Sequence, residues 1–170
     1  MTTQETIALV SAAIAALGVI TTVFLYLHKM RKRKLANLAS YLQPLLSELE
    51  RTRLFVISPE DEIWEFGFET LSRLAELSAK AFVAADISSF ASQNLRAALS
   101  QLNHHVKELR AFQDDWRIFC TGKDKKDWRS LQREWPGIQS ATAALQAARP
   151  AVDHCKLGLS QFLGKHGLSA

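Results

Sequence analysis

The first apolar pattern along the chain is a continuous run. Residues 7–27 read IALVSAAIAALGVITTVFLYL, 21 positions without a charged side chain. A helix of that length spans about 31 Å, the thickness of a bilayer's hydrocarbon core. The run therefore predicts a transmembrane helix over 7–27, after a short N-terminal segment 1–6. Tyr26 stands at its end, where an amphipathic ring favours the lipid–water interface. A cleaved signal peptide needs positive charge before the run and a small-residue cleavage site after it. Here MTTQET precedes it and HKMRKRK follows, so the run is read as a retained single-pass anchor.

Beyond residue 34 the apolar residues fall into stripes. Leu35, Leu38, Leu42, Leu45, Leu49 and Val56 recur at steps of three, four or seven, which predicts a helix over about 35–57. Pro44 lies inside that pattern and predicts a kink or break near Leu42. Ser58-Pro59-Glu60-Asp61-Glu62 combines a cap, a first-turn proline and carboxylates that suit a helix N-terminus. A second helix over about 60–84 follows, with two neighbouring stripes: Trp64, Phe68, Leu71, Ala75 and Phe82, and Ile63, Phe66, Leu74 and Leu77. So wide an apolar face fits a central helix or one offered to another chain, and Trp64, Phe66, Phe68 and Phe82 form a candidate interaction face.

Asp86 to Ser89 is a capping cluster that predicts a third helix over about 88–120. Its stripe is Leu95, Leu99, Leu102, Val106, Leu109, Phe112, Trp116 and Phe119, and Gly122 terminates it. A short amphipathic helix over about 125–134 precedes Pro136-Gly137. The last helix, about 138–163, carries Ile138, Ala141, Leu145, Ala148, Val152, Cys155, Leu159 and Phe162 in coiled-coil-like steps of three and four. No segment alternates with period two. The expected fold class is all-α: a single N-terminal transmembrane helix, then a cytoplasmic antiparallel four-helix bundle over 35–166.

Charge sharpens this picture. The chain carries 21 Lys and Arg against 17 Asp and Glu, a net +4. Residues 35–170 hold 16 of each sign, and Glu5 is the one charged residue before the anchor. All the excess is therefore in Lys29, Arg31, Lys32, Arg33 and Lys34, the juxtamembrane cluster at 28–34. By the positive-inside rule that cluster places the N-terminus outside and the bundle in the cytoplasm, at the plasma (inner) membrane. It also suits anionic lipid headgroups, at about 1 kcal/mol per basic residue. The neutral bundle excludes a uniformly basic nucleic-acid-binding domain. Ala8, Ala12 and Ala16 share a face through which membrane helices can pack.

Chemistry-bearing motifs are sparse. Cys120 and Cys155 are not spaced for zinc, and none of His28, His104, His105, His154 and His166 follows a Glu by three, so no di-metal helical motif exists. No nucleotide-binding or hydrolase glycine pattern occurs, and no metal or cofactor is expected. Arg149-Pro-Ala-Val-Asp-His154 resembles the Arg-x4-His motif of HEPN ribonucleases, which are also helical bundles. That resemblance implies an RNA-cleaving site built from Arg149 and His154, although Pro150 departs from the family's pattern. A further alternative is a sensory or regulatory bundle that binds a small ligand among Trp64, Trp116, Trp128 or Trp135. The reading taken is non-enzymatic: a membrane-anchored interaction or scaffold module. Its partners are the bilayer and another protein or a second copy, bound through helix faces.

Overall fold

The computed structural model describes residues 3–52, 63–123 and 128–168, with the side chains of residues 15–52, 71–123, 130–131 and 133–168. Among them are five helices and no strand: α1 (Thr3–Arg51), α2 (Ile63–Asp86), α3 (Gln93–Phe119), α4 (Trp128–Glu134) and α5 (Ile138–Lys165). The all-α bundle expected from the stripes is what forms, with four long helices and one short one. The chain divides into two units, Met1–Asn37 and Leu38–Ala170.

In the second unit α3 packs against both α2 and α5. Its buried face is Leu95, Ala98, Leu99, Leu102, Asn103, Val106, Leu109, Gln113 and Trp116. The facing side of α5 buries Ala141, Leu145, Ala148, Val152, Cys155, Leu159 and Phe162. Each large aliphatic side chain removed from water in this way stabilises the fold by about 1.5–3 kcal/mol. Cross-contacts give the directions. Ser78 Oγ lies 3.4 Å from Asn103 Oδ1, and the Arg96 guanidinium donates to the carbonyls of Ala85 and Ser88. Rising numbers on α3 thus meet falling numbers on α2, so the pair is antiparallel. Leu95 at the start of α3 faces Gly158 late in α5, while Trp116 near its end meets Trp135, so α3 and α5 are antiparallel too.

The later half of α1 joins this core through Leu38, Ala39, Leu42, Leu45, Leu49 and Thr52, all buried. Its Glu48 pairs with Arg73 of α2 at 3.1 Å, and the Gln43 amide donates to the Leu168 carbonyl. Of the kink or break expected near Leu42, the break does not occur: α1 is continuous from Thr3 to Arg51 with Pro44 inside it. The reason is its side. Pro44 is exposed, and so is Ser40, whose carbonyl loses the proline's missing N–H. The defect therefore faces water, while the leucine stripe packs undisturbed. Pro150 stands likewise on the exposed side of α5.

The third helix starts later than the Asp86–Ser89 cluster suggests. Ser92 is its cap, with its side-chain oxygen accepting from the Leu95 N–H at 3.2 Å. Ser88 instead sits in the corner, where its hydroxyl accepts from the Phe90 N–H and its carbonyl receives Arg96. At the same end of the bundle, α5 closes on Gly167. Its φ of +64° lets the Leu168 N–H reach the Leu163 carbonyl at 2.9 Å and its own N–H reach that of Gly164.

The first unit has a different character. Among the described residues no helix is long and apolar enough to cross a membrane. The span expected over 7–27 is therefore not found there. The described side chains begin at residue 15 and leave thirteen uncharged positions up to Leu27, fewer than the roughly 20 a bilayer needs. The side chains of residues 7–14 lie outside the described residues.

Candidate functional site

Two features of the first unit and three of the bundle bear on function. On α1, Leu17, Val19, Ile20, Val23, Phe24, Leu25, Tyr26 and Leu27 are all 50–68% exposed. At about 100° per residue these positions leave no arc of the helix surface wider than about 100° without an apolar side chain. A helix that lies on a core or on a membrane surface is apolar on one side only. This one is apolar on every side. Its two threonine hydroxyls turn inward to the helix's own backbone: Thr21 Oγ1 donates to the Leu17 carbonyl and Thr22 Oγ1 to that of Gly18, each at 2.8 Å. Polar groups satisfied within the segment suit surroundings that offer no hydrogen bonds.

The basic cluster follows directly. Lys29, Arg31, Lys32, Arg33 and Lys34 are all exposed. They too surround the helix, with no angular gap above about 100°. His28 lies between the two zones, its ring stacked on Phe24 at a centroid distance of 6.4 Å. Of the small-residue face, Ala16 is exposed, while the Ala8 and Ala12 side chains lie outside the described residues.

The interaction face read on α2 is only partly described: Trp64, Phe66 and Phe68 have side chains outside the described residues. Phe82 is half-buried. Beside it the sequence reading missed Val83 and Ile87, which are 57% and 82% exposed at the C-terminal end of α2. Both lie off the two apolar stripes of α2.

The two tryptophans whose side chains are described, Trp116 and Trp135, pack against each other. Both are buried and meet edge to face at 5.4 Å, with Phe119 stacked on Trp116 at 5.8 Å. Trp135 Nε1 donates to Asp115 at 3.0 Å, so its one polar group is satisfied. Trp64 and Trp128 lie outside the described side chains. A groove of about 260 Å³ runs elsewhere, between the start of α3 and the end of α5, with Ser92, Asn94, Leu95, His154, Lys165 and His166 among its lining residues.

Arg149 and His154 stand five residues apart on α5, about 140° around the helix. Arg149 is half-buried, His154 is exposed, and only His154 lines the groove. The structure does not bring the two into one cleft. Among the described residues no group of three or more His, Cys, Asp or Glu is placed to hold a metal. Neither cysteine is in a disulfide and both are buried, and burial pushes the Cys155 thiol up to about 12. On the solvated face of α2, Lys80 bonds Glu76 and holds its carboxyl below the usual range.

In comparisons with known proteins, no family model, curated protein or solved structure matches this chain.

Proposed function

We propose that this protein is a single-pass membrane-anchored helical bundle that acts without catalysis, as an interaction or scaffold module at the cytoplasmic membrane face. The observation that carries the reading is the surface of α1 over residues 17–27, apolar and exposed on every side. In water such a surface costs about 25 cal/mol for each Å² left wet, and no stripe of it is reserved for a core. Together with the uncharged residues 7–16 that precede it in the sequence, the stretch reaches bilayer length. The basic residues 29–34 support an orientation with the N-terminus outside. Phe82, Val83 and Ile87 at the end of α2 support helix-face recognition of a partner protein or a second copy.

Alkaline carbonate extraction of native membranes tests the anchor. The protein is expected in the membrane pellet, and its release into the supernatant overturns the reading. A reporter active only outside the cytoplasm, fused to the C-terminus, is expected to be silent, and activity there reverses the orientation. Crosslinking in the native membrane is expected to trap a defined second chain through residues near Ile87. Recovery of the monomer alone removes the scaffold role.

A further inference from the structure

The basic cluster forms a collar with a definite shape. Five cations occupy six consecutive positions, all exposed, over an axial rise of about 7.5 Å. The headgroup layer on each side of a bilayer is about 5–8 Å deep, so the collar fits within one such layer. Between Glu5 and Glu48 the chain has no acidic residue, so the local field is of one sign. The collar also joins the apolar zone with only His28 between them.

We propose that this collar is a binding surface for the phosphate-bearing headgroups of anionic phospholipids, a proposal that rests on the membrane-anchored reading. The angular distribution selects this partner over other phosphates. A nucleic acid strand approaches a helix from one side and would leave about half of the five cations without a phosphate. A leaflet crossed by the helix offers phosphates around its whole circumference. Lysine and arginine stems are long enough to keep their alkyl parts against the lipid and their charges in the headgroup layer. The collar therefore gathers anionic lipid into the ring of molecules touching the helix, and it does so without a pocket.

The test uses the full chain reconstituted in nanodiscs of phosphatidylcholine alone or mixed with phosphatidylglycerol. The lipids that remain bound after detergent release are counted by native mass spectrometry. The native chain is expected to retain phosphatidylglycerol at least about tenfold more than a Lys29→Gln, Arg31→Gln, Lys32→Gln, Arg33→Gln, Lys34→Gln variant. The difference is expected to shrink toward about 0.5 M salt as screening shortens the reach of each charge. Phosphatidylcholine retention is expected to be equal for both. A variant with Lys29→Arg, Lys32→Arg and Lys34→Arg is expected to keep the native preference. Equal phosphatidylglycerol retention by native and Gln variants overturns the proposal. So does displacement of the lipid by soluble glycerol phosphate, or tighter binding of a short RNA than of the lipid. Failure of the native chain to enter phosphatidylcholine nanodiscs is a separate outcome. It is visible before any headgroup is varied, and it overturns the anchoring reading and this proposal with it.

Discussion

The two halves of α1 set the same residue types to opposite uses. Over residues 17–27 its large apolar side chains are 50–68% exposed and surround the helix. From Leu38 to Leu49 the leucines Leu38, Leu42, Leu45 and Leu49 are at most 3% exposed and fall on one stripe, with Tyr41 left outside it at 38%. Apolar content alone therefore says little about where a helix segment resides. What separates the halves is angular distribution: a stripe buries against other helices, whereas an all-round surface asks for an apolar solvent. The basic collar marks the change from one regime to the other, since it too surrounds the helix while the bundle's charges are balanced.

If the halves are independent, a change in one leaves the other intact. The largest effect is expected from Trp116→Ala. It empties the buried site between Phe119 and Trp135 and costs about 3–5 kcal/mol of bundle stability, read by denaturant unfolding. Membrane retention should not change; a loss of retention would show that the anchor depends on the folded bundle. The mirror experiment is Leu17→Arg, near the middle of the apolar run. It is expected to cost about 2.5–3.5 kcal/mol of membrane insertion, read by the fraction integrated, with the bundle's unfolding midpoint unmoved.

Smaller effects sharpen the description of the bundle. At Gly137 an added Cβ would lie 2.5 Å from the indole of Trp135, a rigid and buried side chain. Gly137→Ala is therefore expected to destabilise the bundle by about 1–3 kcal/mol, and a neutral result in thermal melts would show that Trp135 yields easily. Glu48→Gln removes the ion pair with Arg73, whose side chain is 65% exposed, so a loss below about 1 kcal/mol is expected in a urea titration. The Cys155 thiol, raised to about 12, should lend no pH dependence to stability near neutral pH. Its sign follows from linkage. The folded state keeps the proton that the unfolded chain releases above about 9, so this contribution is complete below pH 9 and fades as the pH rises toward 12. Maleimide should label Cys155 only after unfolding, and rapid labelling of the native protein at neutral pH would refute its burial.

Much of the bundle was legible because burial of a helix face needs apolar residues every three or four positions, and α3 and α5 keep that spacing almost without interruption. Other features were not. Ser88 and Ser92 are equally good caps by type; the choice fell to Ser92 because Ser88 is held in the α2–α3 corner with Arg96. Pro44 reads as a kink or break, and only the side of the helix on which it falls makes it harmless. Gly137 looked like punctuation, yet its lack of a Cβ is what admits the Trp135 indole. Val83 and Ile87 escaped notice because they lie outside the stripes, and exposure there depends on which neighbours are present. Arg149 and His154 matched a spacing, but five helical residues turn side chains away from each other.

What the sequence by itself determined is the kind of each segment: an uncharged run, a collar of one sign, then four amphipathic helices and a short one. These are properties of residue type and period, set before any long-range contact forms. The tertiary structure alone decided partnership: α3 between α2 and α5, Trp116 against Trp135, and Glu48 against Arg73. Such pairings depend on which faces meet after the turns are made, and the spacing within one helix carries no record of its neighbour.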